Sequence, residues 1–229
     1  MELGATVLCI YRTLETRLSL PVPRQFKYPN SGERLLDMSG NVTLIHPRRF
    51  GDDRGWFTES YNKQKLEPLG ITCDFVQDNH SLSVPTGTLR GLHFQTPPFA
   101  QDKLVRCIRG KIFDVAVDIR KGSPTYGKWV GVELSAENGD QLLVPAGYAH
   151  GFVTLEDNTE VTYKVSNYYS PQNDAGLMWN DADIGIDWPL ADGAEPILSG
   201  KDTQHPGLAD FDSPFDYDGT PMTLVEIEP

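Results

Sequence analysis

Residues 111–120 read KIFDVAVDIR, and their alternation decides the fold class of the chain. In an extended strand, successive side chains point to opposite faces, so a period of two sorts these residues into two sets. One face carries Phe113, Val115, Val117 and Ile119, and the other carries Asp114, Ala116 and Asp118. The stretch therefore predicts a β-strand.

Similar short segments, separated by Gly, Pro, Asn and Asp, fill the chain from about residue 41 to residue 190. They are FVQDNHSLS (75–83), TLRGLHFQ (88–95), KLVRCIRG (103–110), KWVGVELS (128–135), QLLVPAGYAHGFVTL (141–155) and TEVTYKVSNYY (159–169). Only NKQKLEPLG, near 62–70, predicts a short helix. Many short strands with turn residues between them indicate an all-β sandwich or jelly-roll barrel with a few short helices.

The two ends of the chain differ from this middle part. Residues 1–40 show no strand alternation and predict a poorly ordered N-terminal extension. Residues 41–202 predict the jelly-roll domain. Residues 203–229 are acidic and rich in Pro, Gly and Asp, and they predict a C-terminal surface tail.

Composition excludes several classes of partner. The 229 residues carry a net charge of −12, which argues against binding nucleic acid or an anionic membrane. No stretch approaches the roughly 20 apolar residues of a membrane span, and the N-terminus lacks the basic region of a signal peptide. The three cysteines have no CxxC spacing, which disfavours a disulfide framework or a structural zinc site. We therefore expect a cytoplasmic protein.

Among the five histidines, two lie in segments that would line a barrel, His93 in LRGLHFQ and His150 in LVPAGYAHGF. The spacing Gly139-x5-Pro145-x-Gly147-x2-His150 matches the second half of the cupin metal pattern. This half-match predicts a cupin-like barrel.

The first half of that pattern is altered. Gly87 and His93 are correctly spaced, but Gln95 replaces the second histidine and Lys103 stands where a glutamate ligand is expected. An amide and an ammonium make a poor divalent-metal site. The sequence therefore predicts a barrel without a metal.

Fixed cations near a neutral histidine favour a different chemistry. Arg90, Lys103 and Arg106 accompany His93 and Gln95 in the same stretch of strands. A neutral imidazole acts as a base on a carbon acid when nearby cations stabilise the enolate that forms. Core histidines and solvated surface charges are the alternative interpretation of these residues.

Nine ordered stretches carry a specific resemblance that spans about residues 41–202. They are FGDDRGWFTES, FVQDNHSLS, LRGLHFQ, QDKLVRC, GKIFDVAVDIRKGSPTYGKWV, LVPAGYAHGF, YKVSNYYSP, LMWNDADIGIDWP and LSGKD. Together they resemble the dTDP-4-dehydrorhamnose 3,5-epimerase family, whose members are cupin-type jelly rolls. The resemblance implies an isomerase that needs no cofactor, a dTDP-sugar substrate and a homodimer that exchanges N-terminal strands.

The resemblance also implies the catalytic residues. His93 looks like the base, Asp202 resembles its carboxylate partner, and Tyr163 looks like the acid on the opposite face of the sugar. Lys103 and Arg90 would hold the carbonyl oxygen and nearby ligand oxygens.

Further positions resemble binding residues of the family. The nucleotide-binding set is Arg54, Glu59, Gln77 and Asn79, and Tyr169 looks like the aromatic that stacks on thymine. His150, Asp174 and Lys201 match other ligand positions, although the family usually has Glu at position 174. If the N-terminal strand is exchanged, Arg54 and Glu59 would serve the partner's site.

The function that the resemblance implies is inversion of carbons 3 and 5 of dTDP-4-dehydro-6-deoxy-D-glucose, which gives dTDP-4-dehydro-L-rhamnose. One alternative is a relative that inverts a single carbon or acts on another dTDP-keto sugar. The others are a non-catalytic sugar-nucleotide-binding cupin and a metal-dependent cupin oxygenase.

Overall fold

The computed structural model describes residues 40–191 and 193–229. The predicted N-terminal extension lies outside these residues, apart from Gly40. The strands are β1 (Val42–Ile45), β2 (Arg49–Asp52), β3 (Gly55–Thr58), β4 (Gln77–Ser83), β5 (Leu89–Gln95), β6 (Lys103–Arg109), β7 (Lys111–Asp118), β8 (Trp129–Ser135), β9 (Gln141–Val144), β10 (Tyr148–Thr154), β11 (Thr159–Val165), β12 (Asp174–Gly176) and β13 (Leu224–Ile227). Helix α1 (Lys63–Leu66) and a 3₁₀ turn (Glu67–Leu69) occupy the predicted helical segment, and a second 3₁₀ turn spans Leu208–Asp210.

Two sheets and a separate hairpin make up the architecture. The larger sheet has the order β13-β1-β9-β6-β11-β4 and the smaller has the order β12-β5-β10-β7-β8. Among the described residues, β2 pairs only with β3. Nearly all pairs are antiparallel, as in a jelly roll. The prediction of an all-β, cupin-like jelly roll with a few short helices is confirmed.

The core lies mainly between the two sheets. One buried cluster takes Val105 and Leu142 from the larger sheet and Ile112 and Phe152 from the smaller one. Apolar clusters also cover the outer faces, so each sheet is buried on both sides over part of its area. The barrel interior is therefore the face on which the first cluster lies.

Both faces of β7 are largely buried, and its two aspartates lie on the face toward the barrel interior. Val115 and Val117 pack in the outer cluster, whereas Ala116 faces the interior cluster. Asp114 shares the face of Ala116 and is fully buried. The predicted alternation thus separates a covered outer face from the barrel interior rather than from solvent.

Residues 141–155, predicted as one strand segment, form two strands in different sheets. β9 belongs to the larger sheet and β10 to the smaller one. Pro145 has no N–H for a sheet ladder, and Gly147 has a φ of +92° beside the side chain of Arg120. The chain therefore turns from one sheet to the other at these residues.

The predicted surface tail requires a correction. β13 pairs in parallel with β1, and Met222 and Phe215 are buried in the inner and outer clusters respectively. Because these apolar side chains are spaced among acidic and turn residues, local composition hid their contribution to the core. Much of residues 203–229 is exposed, but the segment closes one sheet edge.

A close approach between β5 and β10 aligns the two barrel histidines. His150 lies directly opposite His93 in this antiparallel pair. Gly91 has a φ of +141°, and a Cβ there would lie only 2.5 Å from the Cα of Gly151. Leu92 and Phe94 pack in the outer cluster, so His93 points into the barrel.

Within the described part of the chain, no helix has the length and apolar character needed to cross a lipid bilayer.

Candidate active site

A cleft of about 500 Å³ opens into the barrel between the two sheets and the segment around residues 197–202. This volume suits a drug-sized or nucleotide-sized ligand. All the predicted site residues line it except Arg54 and Glu59. Those in the cleft are His93, Tyr163, Asp202, Lys103, Gln77, Asn79, Arg90, His150, Tyr169, Asp174 and Lys201.

His93 is held by a buried carboxylate. Its Nε2 lies 2.6 Å from Oδ1 of Asp202, whose side chain is only 3% exposed. The backbone N–H and the hydroxyl of Ser199 donate to the other oxygen of Asp202, at 3.0 and 2.6 Å. Burial would raise the pKa of Asp202, but the hydrogen bonds from His93 and Ser199 outweigh it and keep that pKa well below its usual range. Asp202 is therefore an ionised group that fixes the imidazole.

Lys103 supplies a buried cation next to the same histidine. Its Nζ donates to the backbone carbonyl of His93 at 3.1 Å. Burial lowers the pKa of Lys103 to about 8, although Asp114 and Asp174 favour its charged form. At neutral pH the ammonium is present in a poorly solvated place, where it acts strongly on nearby charge.

Tyr163 occupies the larger sheet, which faces the sheet that carries His93. It packs against the interior cluster and lines the cleft. Burial raises the pKa of the Tyr163 phenol, and the nearby Arg90 only partly opposes this shift. The phenol is therefore protonated at neutral pH and is able to donate.

The mouth of the cleft carries a polar network. The amide nitrogen of Gln77 donates to Oδ1 of Asn79 at 2.8 Å, and Oε1 of Gln77 accepts from the backbone of Tyr169 at 3.2 Å. The Tyr169 hydroxyl donates to Asp174 at 3.2 Å, and Lys201 pairs with the same carboxylate. The short side chain of Asp174 thus reaches both neighbours, while the Tyr169 ring stays exposed.

Arg90 and His150 complete the wall. The Arg90 guanidinium donates to the Ser83 hydroxyl at 3.2 Å and to the carbonyl of Leu82 at 3.3 Å. His150 lies 2.7 Å from Oδ1 of the buried Asp114. Both interactions orient polar side chains toward the interior of the barrel.

Three residues around the site were not assigned these roles from the sequence. Ser199 positions Asp202, and Asp114 positions His150. Gln95 holds the loop that carries Tyr169, because its amide donates to the carbonyls of Phe99 and Tyr168 and accepts from the N–H of Ser170. Of these three residues, only Asp114 had a signal in the sequence, because the strand alternation placed it on the same face as Ala116.

Arg106 does not join the cleft. It alternates with Val105 and Cys107, which face the interior cluster, so its side chain points to the outer face of β6. There its pKa is lowered by burial and by the nearby Arg49. The expectation that Arg106 accompanies His93 is therefore wrong.

Arg54 and Glu59 also lie away from the cleft of their own chain. Arg54, at the turn of the β2–β3 hairpin, is 89% exposed and pairs with Asp52. Glu59 pairs with Lys65 at 2.5 Å near α1. No contact within the described residues brings either side chain to His93.

Comparisons with known proteins agree with one another. The family profile of dTDP-4-dehydrorhamnose 3,5-epimerase matches residues 38–210. The dTDP-4-dehydrorhamnose 3,5-epimerase of Sinorhizobium fredii is 54% identical over 176 residues, which cover 77% of this chain and 89% of the relative.

Solved structures give the same result. The enzyme of that name from Bacillus anthracis, with TDP and PPi bound, is 57% identical with a TM-score of 0.69, covering 72% of this chain and 92% of that one. The dTDP-6-deoxy-D-glucose-3,5-epimerase of Legionella pneumophila, in complex with dTDP-4-keto-L-rhamnose, is 46% identical with a TM-score of 0.69, covering 74% of this chain and 88% of that one. The chain belongs to the dTDP-4-dehydrorhamnose 3,5-epimerase family.

Proposed function

We propose that this isomerase inverts carbons 3 and 5 of dTDP-4-dehydro-6-deoxy-D-glucose, to give dTDP-4-dehydro-L-rhamnose for dTDP-rhamnose biosynthesis. The observation that carries the proposal is that His93, hydrogen-bonded to Asp202, and Tyr163 lie on facing sheets of one cleft, which suits a base and an acid. A ketone at carbon 4 acidifies the hydrogens on both neighbouring carbons, so one pair of groups serves both positions.

The base acts first. Neutral His93 accepts the proton from the carbon next to the ketone, and the electron pair of that C–H bond moves into an enolate. Asp202 stabilises the imidazolium that forms. The Lys103 ammonium and the Arg90 guanidinium stabilise the negative charge on the enolate oxygen.

The acid then decides the stereochemistry. Tyr163 donates its proton to the same carbon from the opposite side, because a proton returned to the original side would change nothing. The phenolate next takes a proton from solvent while the imidazolium of His93 releases one, which restores both groups. The high pKa of Tyr163 keeps it protonated between turnovers.

We assign the remaining cleft residues to the nucleotide and the sugar. Gln77, Asn79 and Lys201 offer polar groups at the mouth, and the exposed ring of Tyr169 offers a flat face to the thymine. His150 and Asp174 complete the polar lining. These assignments rest on the geometry of the cleft together with the family motifs.

A homodimer is part of the proposal, and in it Arg54 and Glu59 contact the partner's nucleotide. Within residues 40–191 and 193–229, the β2–β3 hairpin pairs with no other strand, and it exposes Phe50, Trp56 and Phe57 by 48%, 55% and 66%. Exposed aromatic residues clustered on one hairpin are typical of an interface. If Arg54 acts in trans, mixing Arg54→Ala and His93→Asn subunits will restore activity that neither variant has alone. Mixtures without restored activity would argue that Arg54 has no role across the interface.

We also propose a cytoplasmic location. Cys73 and Cys107 are both free thiols, as expected in a reducing compartment. Burial raises the pKa of Cys73 to about 12 and that of Cys107 to about 11, so neither is reactive at neutral pH.

The deciding experiment is incubation with dTDP-4-dehydro-6-deoxyglucose in D₂O, followed by NMR of the sugar. The wild-type protein is expected to incorporate deuterium at carbons 3 and 5 and to invert both. In His93→Asn, the rate of hydrogen exchange is expected to fall by roughly 10²- to 10⁴-fold. Tyr163→Phe is expected to keep the exchange and lose inversion. Full exchange in His93→Asn contradicts the role of the base.

The same spectra separate the alternatives. Inversion at one carbon identifies a single-carbon epimerase, and binding without exchange identifies a non-catalytic cupin. An oxidised sugar formed only with added iron identifies an oxygenase.

A further inference from the structure

His205 lies beside the His93–Asp202 pair and has no part in the proposed proton transfers. The rings of His93 and His205 meet edge to face, with centroids 5.6 Å apart. Gly176 makes room for the second imidazole, since a Cβ there would lie 2.6 Å from Nε2 of His205. Two histidines and a carboxylate therefore converge beside the cleft, which His93 and Asp202 line.

One ring nitrogen of His205 receives no hydrogen bond from the described residues around it. Its Nε2 is buried and has no hydrogen-bond partner among the described residues. Buried polar atoms normally have a partner, and those without one often mark the place of a bound water or ion. This atom is the first observation that points to a ligand here.

The donor atoms are spaced for a metal ion. One ligand atom each from His93, Asp202 and His205 lies within 4.8 Å of the others. Zinc binds imidazole and carboxylate at about 2.0–2.2 Å in a tetrahedron, so its ligands are about 3.3 Å apart. Binding of the ion would require the 2.6 Å contact of His93 with Asp202 to widen and His205 to move closer.

The surroundings of Asp202 favour the same role. Ser199 holds one carboxylate oxygen with two hydrogen bonds, which leaves the other oxygen to face the histidines. Partners of this kind orient metal ligands and raise the affinity of a site. These three residues are a different set of ligands from the cupin metal site, where Gln95 and Lys103 replace two of the ligands.

We propose that His93, Asp202 and His205 form a reversible inhibitory site for a divalent transition cation such as Zn²⁺, with water as the fourth ligand. A cation on Nε2, the nitrogen that faces Asp202, leaves the ring proton of neutral His93 on Nδ1, so no imidazole nitrogen is free to accept the proton from carbon. The positive charges of Lys103 and Lys201 in the same cleft weaken binding, which makes the ion an inhibitor that exchanges rather than a resident cofactor.

Binding of the metal alone tests the site without reference to catalysis. Calorimetry with Zn²⁺ and visible absorption with Co²⁺ on the full chain are expected to show one cation bound per chain. His205→Phe and His205→Gln are each expected to weaken binding at least tenfold, because even outer partners of ligands change affinity by about 10- to 100-fold. The glutamine variant preserves polarity if the phenylalanine variant does not fold.

His80→Gln is the matched control, because His80 is an exposed histidine that pairs with Glu160 outside the cleft. It is expected to bind Zn²⁺ as the wild type does. Absence of binding to the wild-type chain overturns the proposal, and so does equal affinity in the wild type and the His205 variants.

The inhibitory role rests on the proposed function and needs the exchange assay, with free Zn²⁺ set by a metal buffer because the diphosphate of the substrate also binds the ion. Each variant is compared with its own metal-free rate. The half-inhibitory Zn²⁺ concentration is expected to rise at least tenfold in His205→Gln, and EDTA is expected to restore the wild-type rate. Metal-free exchange tests the epimerase chemistry separately, and bound cation without inhibition overturns the inhibitory role alone.

Discussion

At the scale of single residues, the orientation of His93 matters as much as its basicity. Its Nε2 is held by a carboxylate that is itself held by Ser199, so the direction of the free Nδ1, which takes the proton from carbon, depends on two layers of contacts. Such supporting groups keep the base aligned with the carbon that it attacks.

Replacing Asp202 with asparagine tests this arrangement. The amide removes the negative charge that stabilises the imidazolium, so kcat is expected to fall by about 10²- to 10⁴-fold with a smaller change in KM. Steady-state kinetics measure the changes in kcat and KM separately. Asp210→Asn, a change at an exposed carboxylate outside the cleft, is the control. A kcat within a factor of two of the wild type would contradict the role of Asp202.

Lys103 gives a second prediction, on pH. Its pKa is about 8, so the ammonium is lost as the pH rises above that value. Because only the charged form stabilises an enolate, kcat/KM is expected to decline above about pH 8, below the range in which Tyr163 titrates. Lys103→Met is expected to lose this alkaline limb along with most of the activity.

Unfolding does not account for that decline. The folded pKa of Lys103 lies below the ordinary value of 10.5, so between about pH 8 and 10.5 the unfolded chain binds more protons. This group therefore makes the free energy of unfolding rise across the interval in which activity falls. Denaturant unfolding at pH 7.5 and 9.5 checks the sign. A flat kcat/KM from pH 7 to 9.5 would exclude Lys103 as the electrophile.

The predictability of the site differs from residue to residue. His93 and Tyr163 fall on inward faces of regular strands, so alternation and motif both locate them. Ser199 and His205 lie in irregular segments whose side-chain directions follow from tertiary contacts, which no periodicity encodes. Arg106 was wrongly expected at the site. It lies three positions from Lys103 along β6, and an odd number of positions along a strand leads to the opposite face.

At the scale of elements, the contact between β5 and β10 sets the position of both barrel histidines. Gly91 and Gly151 let the two backbones approach more closely than any side chain allows. The motif LRGLHFQ thus needs its glycine for packing as well as for conformation. The other predicted segments match the observed strands to within two residues, except 141–155, which a change of sheet interrupts at Pro145, and 159–169, in which the strand ends at Val165.

Gly91→Ala tests this contact. The new Cβ would lie 2.5 Å from the Cα of Gly151, at a φ that L side chains rarely adopt. The free energy of unfolding is expected to fall by about 2–4 kcal/mol, measured by denaturant titration. Gly200→Ala, where a Cβ would meet nothing within 4 Å, is expected to change it by less than about 0.5 kcal/mol. Equal stability of the two variants would contradict the packing role of Gly91.

At the scale of the whole molecule, the C-terminal segment completes the larger sheet. β13 covers the edge of β1, and unpaired edges template association between chains. Composition alone predicted a surface tail, because four strand residues among acidic turns give little periodic signal.

Removing residues 224–229 is therefore expected to lower the free energy of unfolding more than removal of a loose tail would. Loss of the parallel ladder removes several backbone hydrogen bonds at about 0.5–1.5 kcal/mol each, so the free energy of unfolding is expected to fall by about 2 kcal/mol or more. Denaturant unfolding and light scattering measure stability and aggregation. A truncated chain with unchanged stability and solubility would show that β13 adds nothing to the sheet.

The hydrogen bond between His93 and Asp202 joins residues 109 positions apart, which has a consequence for how the protein matures. Contacts between distant parts of a chain form slowly, because a large loop must close first. Because β1 also pairs with the distant β9 and β13, a refolding chain is expected to regain its catalytic rate only after these long-range contacts have formed. During synthesis, β1 to β12 leave the ribosome before Asp202 and β13 leaves after it, so neither the cleft wall at residues 197–202 nor the orientation of the base is complete until the chain is nearly finished.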